Sequence, residues 1–441
     1  SILGRNCEIA DSGRVQNALL CDNVKCGPGV KVYDYAVISD NCTVGRDATV
    51  SCESLVYPDS FIEAGAMIKQ HVMRGVRKTL FERGRIHRPE NVSEYSQWGY
   101  AFGSNFEGNI GVATEDGRCL AESLGIMCGV MGSGRGVMNM GECDMNAFRY
   151  TIKAYGFGGG IFVTGEHLWF FEEDGLPLSR FSERKVLRAF YEPQPFDGGA
   201  GRYRILNHYM NVYVHKLKRY LLNTPVIKFQ VVAPAFLTEL MNIRSADGEE
   251  KIYINDSLSV AGYTDEQVKC AVCHAYGSTY GKVYIPYDFP HIAESIGKAG
   301  GFEVIRLAYD DPDRRYLYDM TDVNVMGCVL LRYLSKKKMT FAELAAKLPD
   351  IYVSRAEVDA DRCTVMRRLS SELNDCNDLS EGVSFRDDVN KNYVTVVPKR
   401  DSNGFRLVAE SLNSETAGEL CDFYVRKIRS INSEVDKKEI F

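Results

Sequence analysis

A six-residue repeat occupies the first 70 residues and limits the folds available to that part of the chain. Every sixth position from 20 to 68 is apolar, and turn-forming Asp, Asn and Gly residues recur between these positions. The apolar positions are Leu20, Cys26, Val32, Ile38, Val44, Val50, Val56, Ile62 and Ile68. A hexad of this kind is typical of short strands that stack into parallel coils. We therefore predict a left-handed parallel β-helix over residues 1–70.

The ends of stacked coils need to be covered, so we expect a homo-oligomer that assembles through the β-helix. Ser1 begins within the repeat, and we therefore expect further sequence upstream. Hexapeptide β-helices often belong to acyltransferases, which place a catalytic His in or beside a coil. The sequence has no His before His71, so a β-helix acyltransferase is only a secondary alternative.

The remainder of the chain alternates between short apolar runs and amphipathic helical patterns. After a basic segment at 71–95, interpreted as a linker helix, this alternation predicts an open, largely parallel sheet with crossover helices. We divide it into a first α/β domain at 96–222, a truncated second domain at 223–281 and a third at 282–355. Residues 356–441 predict a small α+β domain.

Composition excludes several classes of function. The net charge of −6 provides no basic surface for nucleic acid, and no apolar run approaches the roughly 18 residues of a membrane span. The 14 cysteines are dispersed rather than arranged as a disulfide framework, which favours a reducing cytoplasm. We expect neither a nucleic-acid nor a membrane partner.

The segment Gly158–Gly175 is the candidate centre of chemistry. It predicts a buried strand, a short polar loop and a second strand, and the loop carries Glu166 and His167. Polar residues at the carboxyl end of a buried strand are where α/β proteins place reactive groups.

Two stretches carry a resemblance to a known family. Residues 170–175, FFEEDG, are followed by Glu183-Arg-Lys185, and residues 341–349 read FAELAAKLP. Together with the order of repeat, α/β units and α+β domain, they resemble the C-terminal part of bacterial and archaeal proteins that fuse a sugar-phosphate guanylyltransferase to a phosphomannomutase-like region. The resemblance implies α/β phosphohexomutase-like domains and an upstream nucleotidyltransferase domain.

The resemblance also implies a reaction. Phosphohexomutases pass a phosphoryl group between a phosphoserine and the sugar, beside a divalent metal held by three aspartates. The family's serine motif reads Thr-Ala-Ser-His-Asn-Pro, whereas residues 164–169 read TGEHLW, which puts Glu166 in the serine's place. We therefore assign no catalytic residue. If the chain is an active mutase, Glu166 would carry the phosphoryl group and His167 would shuttle the proton.

The family's metal loop is depleted. Its three aspartate positions align with Ala246, Gly248 and Glu250, leaving one carboxylate of three. Asp247 and Glu249 are substitutes if the alignment shifts by one residue. We predict no metal and no cofactor, with Mg²⁺ only if the mutase alternative holds.

The fourth domain of the family binds phosphate in a turn between strands. Lys399, Arg400, Ser402 and Asn403 partly match this cradle and offer cations and exposed amides to a phosphate monoester. A plain β-turn is the competing interpretation.

The leading hypothesis is a degenerate mutase-like region that serves as an assembly or sugar-phosphate-sensing module of a cytoplasmic sugar-1-phosphate nucleotidyltransferase. An active phosphomannomutase or phosphoglucomutase that uses an acid at the nucleophile position is the alternative.

Overall fold

Twelve strands of two residues each follow one another at the N-terminus of this computed structural model. The structure describes residues 1–58, 60–62, 64–68, 81–191, 193, 195, 198–221, 229–241, 250–360, 365–366, 368–369, 382–399 and 404–438. The strands are β1 Ile2–Leu3, β2 Glu8–Ile9, β3 Arg14–Val15, β4 Leu19–Leu20, β5 Lys25–Cys26, β6 Lys31–Val32, β7 Val37–Ile38, β8 Thr43–Val44, β9 Thr49–Val50, β10 Leu55–Val56, β11 Phe61–Ile62 and β12 Met67–Ile68.

These strands form three four-stranded parallel sheets in the orders β1-β4-β7-β10, β11-β8-β5-β2 and β12-β9-β6-β3. Ile2 pairs with Leu19, and Leu19 pairs with Val37. The apolar residue of each hexad faces inward, so Leu20, Val32 and Ile38 have no exposed surface. We call residues 2–68 the N-terminal sheets.

The predicted fold class was wrong for this segment. The structure has separate four-stranded parallel sheets of very short strands, and no clear left-handed β-helix. The physical reason is that a six-residue period specifies only which residues face inward and how often the chain turns. It determines neither the hand of the coil nor how the sheets join.

A six-stranded sheet follows, in the order β13-β17-β16-β14-β15-β18. Its strands are β13 Arg85–His87, β14 Asn109–Thr114, β15 Gly136–Glu142, β16 Gly159–Val163, β17 His167–Glu172 and β18 Tyr203–Ile205. The helices of this region are α1 Val92–Asn105, α2 Leu120–Gly132, α3 Met145–Tyr155, α4 Arg180–Tyr191 and α5 Tyr209–Leu221. Of the segment predicted as a linker helix, residues 71–80 lie outside the described residues, and the rest includes β13.

Two smaller sheets come next, β19-β20-β21 and β22-β23. Their strands are β19 Gln230–Val232, β20 Lys251–Ile254, β21 Leu258–Val260, β22 Lys282–Pro286 and β23 Glu303–Leu307. The accompanying helices are α6 Ala235–Met241, α7 Asp265–Tyr280, α8 Ala293–Gly300, α9 Tyr318–Thr321, α10 Val323–Lys337 and α11 Phe341–Ala345. One hydrophobic cluster, with members from Ala147 to Ile351, packs these elements together.

The chain ends in a four-stranded antiparallel sheet of order β24-β27-β26-β25, covered by a helix. Its elements are β24 Tyr352–Val358, β25 Val383–Asp387, β26 Asn392–Pro398, β27 Phe405–Ser411 and α12 Ser414–Lys438. A buried hydrogen bond between the side chains of His291 and Glu410, 3.1 Å apart, attaches this sheet to the loop after β22. This attachment brings β27 to the edge of the central cleft.

No helix within the described ranges is long and apolar enough to cross a membrane.

Candidate functional site

A cleft of about 1210 Å³ lies where the six-stranded sheet, the β20–β21 turn, the segment after β23 and the C-terminal sheet meet. Its lining includes Glu82, Arg83, Arg85, Cys143, Arg149, Thr164, Gly165, Glu166, His167, Trp169, Arg180, Asn255, Asp256, Asp310, Thr321 and Arg406. They come from sequence positions more than 300 residues apart, so the cleft is a product of the whole fold.

A tight hairpin between β16 and β17 forms one wall of the cleft. Only Thr164, Gly165 and Glu166 separate the two strands, and Val163 already pairs with Leu168. The Thr164 hydroxyl accepts a hydrogen bond from the backbone N–H of His167 at 2.9 Å and donates to its carbonyl at 3.1 Å. Thr164 therefore closes the hairpin with its own side chain, in the manner of a side-chain-stabilised turn.

Glu166 and His167, both singled out from the sequence, lie next to each other in this hairpin. The Glu166 side chain is 88% exposed, and its carboxylate lies 4.0 Å from Nδ1 of His167. His167 packs against His87, its partner across the β13–β17 pair, with the two rings tilted by 33° and 4.9 Å between their centroids. Burial, and then the neighbouring Arg85 and His87, lower the pKa of His167 below its usual value of 6.5. The imidazole is therefore neutral at pH 7, which suits a proton acceptor.

No described hydroxyl or thiol of the lining is activated as a nucleophile. The hydroxyl of Thr164 is engaged in the hairpin, and that of Thr321 donates to Tyr318 O and accepts from Arg149. Burial raises the pKa of the Cys143 thiol far above its usual range, which keeps it protonated. Glu166 is the remaining candidate from the sequence.

The described lining contains five arginines and seven carboxylates. Each arginine already has a protein acceptor: Arg83 with Asp288 at 2.8 Å, Arg85 with Glu82 at 2.9 Å, Arg180 with Asp310 at 3.7 Å, Arg406 with Glu357 at 3.2 Å, and Arg149 with the Gly175 carbonyl at 2.8 Å. An incoming phosphate would therefore have to displace one of these acceptors, because each of the five guanidinium groups already has a protein partner.

The predicted phosphate cradle is described only in part. Arg400, Ser402 and Asn403 lie outside the described residues. Lys399 is placed, and its amine lies 2.7 Å from Glu357 and 3.6 Å from Asp359. The hydrogen bond to Glu357 raises the pKa of the Lys399 amine.

Of the residues named for a metal, the described one, Glu250, does not line the cleft. Asp247 and Glu249 lie outside the described residues. Glu250 precedes β20 and accepts hydrogen bonds from the backbone N–H groups of Phe341 and Ala342, at 2.8 and 3.0 Å, so it caps α11. A carboxylate at this position stabilises the helix N-terminus.

A turn that reaches the cleft follows β20, and the sequence alignment did not identify it. Asn255 and Asp256 lie in this turn and line the cleft. The sequence does carry a signal for this turn, because the polar pair Asn255 and Asp256 directly follows the apolar run of β20. Among the described residues no group of three His, Cys, Asp or Glu side chains could hold a metal ion. The described residues therefore do not fit the family's three-aspartate Mg²⁺ site.

A sheet-bordered cleft between α/β units and a terminal α+β unit defines a phosphohexomutase-like fold, and solved structures confirm it. The chain is similar to a phosphoglucomutase/phosphomannomutase family protein from Burkholderia thailandensis, with a TM-score of 0.61 and 12% identity over 81% of this chain and 98% of that one. It is also similar to a Thermus thermophilus protein named as a candidate phosphomannomutase, with a TM-score of 0.54, 12% identity and the same coverages. The predicted resemblance is thus confirmed for the phosphohexomutase-like fold, whereas a fusion to a guanylyltransferase is not shown.

A third structure is more distant. It is the Aspergillus fumigatus N-acetylphosphoglucosamine mutase in complex with GlcNAc-6P and magnesium, with a TM-score of 0.42 and 10% identity over 74% of this chain and 77% of that one. No family model matches the sequence, and no curated protein matches it.

Proposed function

We propose that this chain is a phosphohexomutase-fold protein without mutase turnover, which acts as an assembly or sugar-phosphate-sensing module of a cytoplasmic sugar-1-phosphate nucleotidyltransferase. The observation that carries the proposal is the hairpin at Thr164–Glu166. The cleft has a volume of about 1210 Å³, and only three residues separate the two strands where the family's motif has its phosphoserine.

The length of the hairpin matters because phosphoryl transfer depends on positioning. His167, Leu168 and Trp169 occupy the last three positions of the family's serine motif, and here all three belong to β17 and pair across the sheet. A reactive group at this point has no loop with which to approach a phosphoryl group and retreat. Glu250, the one carboxylate at the aligned metal positions, caps α11 and does not line the cleft, which also favours binding without transfer.

The cleft has the capacity for a hexose phosphate. Its volume of about 1210 Å³ exceeds the roughly 300 to 1,000 Å³ of ordinary ligand pockets, so a hexose phosphate would leave part of it unfilled. Glu82 lies between two cleft arginines, 2.9 Å from Arg85 and 3.7 Å from Arg406. A phosphate that replaced the Glu82 carboxylate would gain both guanidinium groups, which favour planar, bidentate recognition of oxyanions.

This exchange can be tested by calorimetric titration with mannose 6-phosphate and mannose 1-phosphate. Glu82→Gln should tighten binding and Arg406→Gln should weaken it, each by about tenfold, because charged hydrogen bonds contribute about 1.5–3 kcal/mol. The matched control is Arg386→Gln, which changes an exposed arginine on β25 of the C-terminal sheet. It should leave the affinity for both sugar phosphates unchanged.

A coupled assay for interconversion of the same two sugar phosphates in the presence of Mg²⁺ tests the other half of the proposal. No turnover above the uncatalysed rate is expected. Turnover at ordinary mutase rates, of about 1 s⁻¹ or more, would contradict the proposal directly.

An active mutase that uses Glu166 is the second candidate. It is favoured by the exposure of the Glu166 carboxylate in the cleft and by the neutral His167 at 4.0 Å. In that case Glu166→Ala would abolish a measurable turnover while leaving the thermal unfolding temperature unchanged.

Assembly through the N-terminal sheets follows from their first strands. Strands β1, β2 and β3 each lie at a sheet edge, and Ile2, Leu3 and Ile9 are 70%, 49% and 38% exposed. Exposed apolar edge strands are templates for pairing with another chain. Analytical ultracentrifugation should detect an oligomer that Leu3→Lys and Ile9→Lys together dissociate. A monomer at all concentrations would rule out this mode of assembly.

A further inference from the structure

A smaller cavity, of about 140 Å³, adjoins the large cleft where the C-terminal sheet meets the loop after β22. Glu82, Arg83 and Arg406 line both spaces, so the two meet at these three residues. His291 and Glu410 line only the smaller space, which we call the side cavity.

The imidazole of His291 is held in one orientation at the wall of the side cavity. Only 5% of the residue is exposed, and its ring stacks on Tyr393 with 5.3 Å between ring centroids and 16° between the planes. Nδ1 lies 3.1 Å from Oε1 of Glu410, whose Oε2 accepts a hydrogen bond from the His291 backbone N–H at 2.7 Å. Two hydrogen bonds and a stacked ring therefore fix the direction in which the other ring nitrogen points.

That other nitrogen, Nε2 of His291, has no hydrogen-bond partner among the described residues and still retains exposed surface. A carboxylate can only accept, so Nδ1 is the atom that donates to Glu410. Nε2 of the neutral imidazole is then an acceptor. A hydrogen-bond donor that enters the side cavity can therefore reach it.

The charges around the side cavity favour an uncharged donor. The described lining holds three cations and three carboxylates. The cations already have partners, since Arg83 lies 2.8 Å from Asp288 and Lys399 lies 2.7 Å from Glu357. A hydroxyl group suits Nε2 better than an ammonium group does, because it donates a hydrogen bond without burying another charge.

Size and position point to a sugar ring as the carrier of this hydroxyl. Phe289, Val397 and Val408 supply apolar walls, and a cavity of about 150 Å³ can admit a six-membered ring such as benzene. A phosphate that replaced the Glu82 carboxylate would lie where the two cavities meet, because Glu82 lines both. The sugar attached to that phosphate can then extend into the side cavity.

We propose that the side cavity receives the sugar ring of a bound hexose phosphate, and that Nε2 of His291 accepts a hydrogen bond from one ring hydroxyl. This inference rests on the proposed binding of a sugar phosphate in the large cleft. It assigns recognition of the sugar to His291, whereas recognition of the phosphate belongs to Arg85 and Arg406.

Calorimetric titration of the full chain with mannose 6-phosphate, its monodeoxy analogues and inorganic phosphate tests the ligand side. At least one monodeoxy analogue should bind about fivefold more weakly than mannose 6-phosphate, because one neutral hydrogen bond is lost. Inorganic phosphate measures the exchange with Glu82 separately, since it has no sugar ring to place in the side cavity.

His291→Phe tests the protein side, because it keeps a stacked ring and removes Nε2. It should weaken the binding of mannose 6-phosphate by the same factor and abolish the difference between this sugar and the sensitive deoxy analogue. Its affinity for inorganic phosphate should stay that of the parent, which a displaced Arg406 would not allow. Val408→Phe fills the side cavity from β27 and should abolish the same difference, even if His291→Phe proves unstable.

The matched control is His274→Phe, which changes a partly buried histidine of α7 outside both cavities. Nε2 of His274 lies 3.1 Å from the Tyr333 hydroxyl, so this nitrogen already has a protein partner. The control should leave the affinities for all these ligands unchanged.

Equal affinity of the parent protein for mannose 6-phosphate and every monodeoxy analogue would overturn this proposal alone, provided that inorganic phosphate binds. A deoxy difference that persists in both His291→Phe and Val408→Phe would also overturn it, because the hydroxyl would then be recognised elsewhere. Failure of mannose 6-phosphate and inorganic phosphate alike to bind would overturn the proposed function together with this inference.

Discussion

At the scale of single residues, Asp322 shows how the chain accommodates a charge in its interior. It has no exposed surface, and its carboxylate accepts from Tyr213 at 2.9 Å, from the Lys216 amine at 3.4 Å and from the backbone N–H groups of Asn324 and Val325 at 3.1 Å each. The same carboxylate thus caps α10 and ties it to α5. Buried charges persist only when they are paired and hydrogen-bonded in this way.

Asp322→Ala should lower the free energy of unfolding by about 2–4 kcal/mol, because it removes the acceptor of the buried Tyr213 hydroxyl, one of the two carboxylates that pair with Lys216, and a helix cap. Chemical denaturation measures the loss. The control is Asp265→Ala, which changes an exposed aspartate in the first turn of α7. It should lower the free energy of unfolding by less than about 0.5 kcal/mol. A similar loss for both substitutions would show that the buried network contributes nothing specific.

His167 should titrate below 6.5 in an NMR pH series. Burial and the nearby Arg85 and His87 disfavour its charged form, so Arg85→Gln should raise the pKa of His167 part of the way back. Because the unfolded chain then binds a proton more readily than the folded chain, stability should fall as the pH drops from about 6.5 toward the folded pKa, and level off below it. His167→Gln assigns the signal and should flatten this part of the stability profile. A His167 pKa at or above 6.5 would contradict the expected burial.

At the scale of elements, α1 and α2 approach each other closely through glycines. A Cβ atom on Gly129 would lie 1.9 Å from the Ser96 carbonyl oxygen, and one on Gly99 would lie 2.2 Å from the Ile126 carbonyl oxygen. Backbone atoms cannot move aside as the end of a flexible side chain can. These glycines therefore set the distance between the two helices and, through α1, the position of β13 at the cleft.

Gly129→Ala should destabilise the protein by about 2 kcal/mol or more, although alanine is the better helix former by about 1 kcal/mol. Gly132→Ala is the matched control in the same helix, because its Cβ would meet only the Tyr100 ring at 3.7 Å. This control should be neutral or slightly stabilising. Thermal unfolding followed by circular dichroism compares the two variants, and equal effects would mean that the helices can separate without cost.

Elements were easier to predict from the sequence than the site. The hexad identified the inward residues of the N-terminal sheets correctly, because burial follows the six-residue period. It did not determine the hand of a coil or how the sheets join. The strand–loop–strand pattern at 158–175 placed Glu166 and His167 together, since both lie in one hairpin. Glu250 caps α11, and Asp247 and Glu249 lie outside the described residues, so the expectation for the metal loop remains a prediction. Arg406 was missed because only tertiary packing brings β27 to the hairpin.

At the scale of the whole molecule, the N-terminal sheets have a hydrophobic core of their own. The buried members of that cluster run from Ala18 to Ile68, and no described residue beyond 68 belongs to it. The rest of the molecule is joined by the large α/β cluster and by polar contacts between distant segments. Arg149 donates to the Thr321 carbonyl at 2.8 Å, and His291 pairs with Glu410 at 3.1 Å.

This distribution of cores predicts two separable unfolding transitions in differential scanning calorimetry rather than one. Ile38→Ala, in the N-terminal sheets, and Leu331→Ala, in the large α/β cluster, each remove a side chain with no exposed surface. Each should destabilise its own transition by about 2–5 kcal/mol and leave the other in place, because the two clusters share no described residue. A single transition that both substitutions shift would instead require a coupled interface between the sheets and the mutase fold. The N-terminal sheets would then help to hold the cleft in shape, and disrupting their assembly should weaken sugar-phosphate binding as well.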